Sequence, residues 1–563
     1  MPRLPPNFGN GRSVAVIGAG MAGLTAGWML ANAGFKVTIY EADSRYGGRS
    51  LTVRPDDSNG QGGRYKAWWF QKYNPERLFP AMYASRYKED KAPDGGSPNV
   101  EQVCRFADET WNPAGAKPPV ELFLNAGPGR IPSDHASLLE LCGKIGVELE
   151  PYIFQSNYNL LRSATFRGGE PVSYNQINYS LRGELAAQMA KAENPACSAV
   201  NAPGEMCRML KEFGDLNPQF EFPGSARLGY TELPGGWNTP GRVKDKVPLA
   251  EVLKSGFVGG GNPELTPGSF LFNADNILWQ NSLMQPVGGM DRIWQRMLVQ
   301  RIPASALRLQ PNDPRIPAMH GRSIRYVGDL VLLGAPVRSI VNVPGTKKVR
   351  IDTGRYREEA DFCISTMAPN LLQRILQKDQ FPPEFWDSLG KVVQTPAIKV
   401  GWQTRNRFWE KENHIYGGIS WTDDDIGQIW YPCEDFNAPT GVLTGAYNRG
   451  PTALEFGKLS QAQRITHALD AGERLHPPRS PGFTGFKRNV YADKGVTIAW
   501  HYMPFQVGGW AGLTAITQPD VYKQIIKPQG QLYTAGDAYS YLPGWLEGSV
   551  TSVYAAISAL PPA

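Results

Sequence analysis

The residues most able to do chemistry begin with three glycines. Gly18-Ala19-Gly20-Met21-Ala22-Gly23 is a G-x-G-x-x-G run. Ser13-Val14-Ala15-Val16-Ile17 precedes it as a buried-strand pattern. Leu24 to Ala33 follows with helical spacing, and Lys36-Val37-Thr38-Ile39-Tyr40 is a second strand pattern ending at Glu41. In this setting Gly18 permits a sharp turn, Gly20 lets backbone approach a pyrophosphate, and Gly23 lets helix pack on strand. The helix N-terminus then offers free N–H groups to phosphate, and a carboxylate at Glu41 can bind a ribose diol. The chemistry predicted is the binding of a dinucleotide.

Two cations are placed where charge has a use. Arg130 stands in Asn125-Ala126-Gly127-Pro128-Gly129-Arg130-Ile131-Pro132. A guanidinium binds both oxygens of a carboxylate in one plane and stays charged at any ordinary pH. Lys399 interrupts the apolar strand pattern Pro396-Ala397-Ile398-Lys399-Val400-Gly401-Trp402. A charge there is costly unless it is paired or solvated by a fixed water. No Ser/His/Asp triad is required, and none of the six histidines falls in a recognisable catalytic motif. His135 reads as a helix-end or wall residue.

The elements that must position these groups span 563 residues, enough for several domains. Hydrophobic residues at 41% and charged residues at 20% exclude a wholly disordered chain. The 61 glycines and 47 prolines imply many loops. A net charge of +6 without a dense basic run gives no nucleic-acid arm. Six scattered cysteines contain no C-x-x-C pair, so no metal site is expected and a reduced chain is the default. There is no signal-peptide pattern and no apolar stretch of roughly twenty residues, so no membrane span is expected. Cytoplasmic placement is the default; a processed secreted chain would read the same. Helical patterns occur over 134–146, 180–215, 286–300 and 548–560, and strand patterns over 328–342 and 348–365. Residues 53–118 lack periodicity and read as a long surface excursion. Strand–helix alternation at both ends, with unlike material between, predicts an α/β chain, α+β overall.

The residues after Glu41 sharpen this. Ala42-Asp43-Ser44-Arg45-Tyr46-Gly47-Gly48-Arg49 resembles the segment that runs past the FAD pyrophosphate in the flavin-containing amine oxidase superfamily. Residues 125–132 resemble that family's flavin-approaching loop, with Gly127 and Arg130 toward the cofactor. Pro286-Val287-Gly288-Gly289-Met290-Asp291 resembles its Gly-Gly-Met turn, and Ala335-Pro336-Val337 its strand whose valine backbone meets adenine. Ala535-Gly536-Asp537 with Pro543-Gly544-Trp545-Leu546-Glu547-Gly548 is the strongest match. It implies that Asp537 binds ribityl or phosphate groups and that the following helix points at the flavin. Trp500 resembles the tryptophan near the flavin's dimethylbenzene ring.

Within the superfamily the chain looks like an L-amino acid oxidase. The resemblance implies that Arg130 holds the substrate carboxylate and that Tyr431, in Gln428-Ile429-Trp430-Tyr431-Pro432, donates a second hydrogen bond to it. It implies that Trp510, Gly544 and Trp545 flank the substrate and that Lys399 assists the reaction with dioxygen. Gly508 and Gly509 stand where covalent-flavin relatives carry cysteine, so non-covalent FAD is expected. The expected fold is a discontinuous Rossmann-like FAD-binding domain (1–70, 285–392 and 515–563) with an inserted mixed-sheet substrate domain (118–180 and 393–514). A helical domain (181–284) and the excursion (71–117) complete it. The implied reaction turns L-amino acids, with large apolar or aromatic side chains favoured, into 2-oxo acids, ammonia and hydrogen peroxide. An amino acid 2-monooxygenase and a polyamine or monoamine oxidase are the alternatives. Acids for a basic substrate would come from 423–425 or 434–435. A homodimer is expected by analogy.

Overall fold

The computed structural model describes residues 4–55, 86–89, 100–107, 110–111, 120–193, 204–214, 247–257, 271, 282–479, 482–512 and 514–562. Most of the expected excursion, and much of the expected helical domain, lies outside them. The chain divides into two compact units.

The first unit comprises residues 1–151, 283–397 and 498–563. Its centre is a five-stranded parallel sheet. Strand β1 (Ser13–Ile17) pairs with β2 (Lys36–Tyr40) on one side and with Phe362–Ser365 on the other; Val331–Leu332 and Leu532–Thr534 close the edges. Side chains along a strand alternate faces, and both faces here are apolar. Val14, Val16, Val37, Ile39, Phe362 and Ile364 join one core, with helix α1 (Met21–Asn32) and residues Val550, Val553 and Ile557. Ala15, Ile17, Tyr40, Cys363 and Leu532 join a second core with Leu372, Phe385, Leu389 and Ile525. A sheet covered on both faces reads as the near-continuous apolar runs seen in the sequence. Helix α2 (Ala136–Ile145) and helix α3 (Leu546–Ser558) belong to the first core through Leu138, Leu141, Val550 and Ile557.

The second unit comprises residues 152–282 and 398–497. It is built on a seven-stranded mixed sheet in the order Val172–Ser173, Leu160–Arg162, Ile419–Thr422, Gln428–Trp430, Val442–Arg449, Ala397–Gln403, Val496–Ala499. Leu160–Arg162 runs parallel to Ile419–Thr422, and the strand pairs Ile419–Thr422/Gln428–Trp430 and Gln428–Trp430/Val442–Arg449 are antiparallel. Helix Gln461–Leu475 starts at a capping box in which Ser460 and Gln463 exchange side-chain and backbone hydrogen bonds.

The domain borders differ from those expected. Residues 118–151 and 498–514, assigned to the substrate domain, are part of the first unit, and the described helices Tyr174–Glu193 and Glu205–Gly214 are part of the second. Of the helical pattern over 180–215, residues 194–203 lie outside the described residues. The pattern over 286–300 shrinks to Arg292–Leu298, because Gly288 and Gly289 adopt φ of +82° and +109° and form a turn. Cys104, Cys142, Cys363 and Cys433 are free thiols, whereas Cys207 is disulfide-bonded, so the expectation of a fully reduced chain is not met. Among the described residues no helix is long and apolar enough to cross a membrane, and no cluster of His, Cys, Asp or Glu could hold a metal ion.

Candidate active site

In the first unit the glycine turn is built as its residue types demand. Gly18 has φ of +104°. A Cβ on Gly23 would stand 1.8 Å from the Gly18 carbonyl oxygen, so a larger residue would force α1 off the turn. Gly20 is the N-cap of α1 and forms a β-bridge with Gly47. A Cβ on Gly48 would approach the Gly20 Cα at 3.4 Å. Glycine backbone thus meets glycine backbone beside the free N–H groups of a helix start, a cradle that side chains would fill. These residues fit a dinucleotide.

Glu41 directly follows β2 and is buried. Its carboxylate accepts from Ala19 N–H at 2.7 Å and Asp43 N–H at 2.8 Å. Burial raises its pKa, and these two donors pull it back down. The neighbouring segment docks here through Ala335 N–H to the Glu41 carbonyl, at 2.8 Å. Val337 therefore lies in irregular backbone between strands. The expectation of a strand at 335–337 is corrected: Gly334 N–H bonds the Asp43 carbonyl and Ala335 N–H the Glu41 carbonyl, so the chain turns away from the sheet ladder.

Arg49 and Asp537, both expected at the cofactor, bind each other. The guanidinium engages both carboxylate oxygens and also donates to the Gly509 carbonyl at 3.2 Å. Asp537 accepts in addition from Gly544 N–H at 3.0 Å. A lone carboxylate would repel a phosphate. Paired with Arg49 it becomes a neutral bracket that ties residues 49, 509, 537 and 544 together. Gly536 and Gly544 carry φ of +121° and +83°, and a Cβ on Gly544 would meet the Trp510 ring at 3.1 Å. Trp510 and Trp545 are both half-buried.

The loop that carries Arg130 is pinned to the same unit. Gly127 N–H donates to the Leu51 carbonyl at 2.9 Å, and a Cβ on Gly127 would lie 2.1 Å from the Arg49 carbonyl oxygen. Trp500, expected to flank the flavin, donates its indole N–H to the Ala126 carbonyl at 2.9 Å. Asn125 accepts from Met290 N–H at 3.0 Å, which joins the Gly-Gly-Met turn to this loop. Arg130 itself is half-buried.

Sequence reasoning gave Glu547 no role. Its carboxylate, in the first turn of α3, accepts from Ser137 N–H at 3.1 Å and Leu138 N–H at 2.6 Å. It therefore caps the orphan donors of α2. His135, one residue before α2, stands edge-on to Trp545 at 4.9 Å and 83°. It is buried, neither ring nitrogen has a hydrogen-bond partner among the described residues, and burial lowers its pKa. It stands at the start of α2, where the sequence predicts a helix-end or wall residue.

In the second unit Lys399 lies on strand Ala397–Gln403 and is buried. Its Nζ sits 4.4 Å from the Trp430 ring centroid and 5.1 Å from that of Tyr447. Tyr431, the neighbour of Trp430, does something else. Its hydroxyl donates to Ser420 Oγ at 2.8 Å and shares a 2.7 Å bond with His476 Nε2. His476 Nδ1 meets Asn413 Oδ1 at 3.1 Å. Burial drives the Tyr431 pKa up and the His476 pKa down to about 3. A phenol has one proton to give, and here it is committed inside a buried chain. Tyr431, expected to donate a hydrogen bond to a substrate carboxylate, has its hydroxyl engaged by Ser420 and His476. Trp430 ends the strand Gln428–Trp430 and Tyr431 lies just past it, so strand alternation could not separate the two in the sequence.

The acids considered for a basic substrate are also engaged. Asp424 pairs with Arg162 at 2.9 Å and Arg474 at 2.9 Å, Asp425 with His467 at 2.7 Å, and Asp423 accepts from Ala164 N–H at 2.7 Å. Asp435 has its pKa raised to about 6, first by burial and then by Glu434.

Known proteins resemble this chain in sequence and fold. A sequence model of the flavin-containing amine oxidoreductases matches residues 114–556, and one of NAD(P)-binding Rossmann-like domains matches residues 16–85. The chain belongs to the flavin-containing amine oxidoreductase family. Its curated relatives include the L-amino-acid oxidase of Mus musculus, 24% identical over 96% of this chain and 69% of that protein. A putative L-amino-acid oxidase of Bacillus subtilis is 21% identical over 96% of this chain and 93% of that protein. Among solved structures, cyclohexylamine oxidase from Brevibacterium oxydans superposes with a TM-score of 0.54 at 15% identity, covering 98% of each chain. A putrescine oxidase variant gives 0.53 at 16% identity, over 97% of this chain and 98% of that one. These likenesses establish the fold. The family makes the chain a flavin-dependent oxidoreductase acting on a small amine or amino acid with dioxygen.

Proposed function

We propose that this protein is an FAD-dependent L-amino acid oxidase that holds its cofactor non-covalently and deaminates substrates with large apolar or aromatic side chains. The observation that carries the reading is the Arg130 loop. A half-buried guanidinium stands on backbone that is locked to Arg49 and Leu51, the residues just past the glycine cradle. A planar cation fixed there suits a carboxylate, and a plain amine has no use for it. The curated relatives from Mus musculus and Bacillus subtilis support the same substrate class.

Gly18, Gly20, Gly23 and Glu41 would hold the dinucleotide half, while Gly48, Gly127, Asp537 and the Arg49–Asp537 bracket would face its centre. When bound, the flavin supplies the acceptor for the Cα hydrogen, taken as hydride, and the source of the electrons for dioxygen. Arg130 would bind the carboxylate and thereby orient the Cα–H bond; a fixed near-attack pose is worth about 7–11 kcal/mol of barrier. Trp510 and Trp545 would exclude water and pack the side chain. Lys399 would stabilise charge developing on dioxygen, which gains two electrons and two protons to become hydrogen peroxide. The imino acid product takes up water and yields a 2-oxo acid and ammonia.

The engagement of Tyr431 within its own unit favours a second reading, a plain amine oxidase, because one of the two expected carboxylate ligands is withdrawn. Anaerobic mixing of the yellow protein with an L-amino acid, and separately with its decarboxylated amine, decides between them. The proposal expects bleaching by the amino acid alone. It further expects Arg130→Ala to raise KM at least a hundredfold with the flavin retained, and Arg130→Lys to recover only part of the loss. Bleaching by the amine with indifference to Arg130 would establish the second reading.

A further inference from the structure

We infer that Trp430 and Tyr447 form an aromatic box that positions the Lys399 ammonium for the oxygen half of the reaction. The inference deepens the proposed function and rests on its assignment of Lys399 to dioxygen.

Lys399 is 3% exposed on a strand whose seven residues are all buried. An ammonium so placed needs compensation for lost hydration. Two aromatic faces supply it, at 4.4 and 5.1 Å from Nζ, inside the roughly 6 Å reach of the ring quadrupole. The rings themselves are fixed. Trp430 and Tyr447 meet edge-to-face at 5.2 Å and 83°, and the Trp430 indole N–H donates to Gln428 Oε1 at 2.7 Å. Trp430 ends the strand Gln428–Trp430, which pairs with Val442–Arg449. The sheet thus brings two rings, from strands Gln428–Trp430 and Val442–Arg449, onto one cation. Rings hold the cation and leave its net charge in place.

A desolvated cation–π contact is worth enough to change a rate about tenfold per ring. The test is stopped-flow separation of the half-reactions in the holoenzyme. Lys399→Met should slow reoxidation and leave anaerobic reduction by the amino acid nearly intact. Trp430→Leu and Tyr447→Leu, which keep apolar bulk and remove the rings, should each slow reoxidation about tenfold with the reduction rate preserved. Trp430→Phe should restore part of the rate, and Tyr447→Phe nearly all of it. A double-mutant cycle of Lys399→Met with Trp430→Leu, read by urea unfolding of the holoenzyme, should show coupling. Slowed reoxidation in Lys399→Met with wild-type rates in both leucine variants would overturn the box and leave the role of Lys399 standing. Unchanged reoxidation in Lys399→Met would overturn both. Additive unfolding energies in the cycle would also overturn the box.

Discussion

Replacing Tyr431 by phenylalanine separates a substrate ligand from a structural hydroxyl. The change removes one oxygen and keeps the ring, which is fully buried against Trp409. Two hydrogen bonds are lost, to Ser420 Oγ and to His476 Nε2. Ser420 Oγ retains the Leu160 N–H at 2.7 Å, and His476 retains Asn413 through Nδ1. The only group left without its partner is His476 Nε2, and one unsatisfied buried polar group costs about 1–3 kcal/mol. For a unit of this size that corresponds to a fall in Tm of roughly 2–8 °C. Differential scanning calorimetry measures it, and steady-state kinetics with an L-amino acid completes the experiment. Stability should fall while KM and kcat stay within about twofold of wild type. The reasoning fails if KM rises tenfold or more with Tm unchanged. Tyr431 would then reach the substrate, and the buried chain would not be its resting place.

Two further outcomes follow from the same geometry. Gly127→Ala should displace the Arg130 loop, since the new methyl would lie 2.1 Å from a backbone carbonyl oxygen that cannot rotate away; gel filtration should show flavin released and the amino acid KM raised, and a variant with full flavin content and wild-type KM would refute the packing argument. His476 has its pKa lowered to about 3 by burial, so the unfolded chain binds its proton first as pH falls. Its contribution to stability is present above pH 6.5 and is lost as pH drops toward 3, at a slope approaching 1.4 kcal/mol per pH unit. Urea titrations of wild type and His476→Gln between pH 7 and pH 4 should show a shallower decline in the variant, and parallel curves would sink this account.

Local sequence determined the dinucleotide half of this protein. The strand–turn–helix–strand of residues 13–41 is a contiguous unit whose chemistry depends on glycines a few positions apart. Propensity and spacing therefore suffice to read it. The same holds for the last helix, whose glycine, aspartate and tryptophan lie within a dozen residues of one another. Tertiary structure alone decided what the remaining side chains face. Tyr431 and Trp430 are neighbours in sequence, but the strand ends between them, and one meets His476 while the other meets Lys399. Arg49 and Asp537 were both expected at the cofactor from the sequence, but their mutual pairing closes across nearly the whole chain. Glu547 had no role in the sequence reading, and only packing sets it against the N–H groups of α2. Hydrogen bonds and ring contacts act over a few ångströms, and no one-dimensional pattern records which distant strands a fold brings that close.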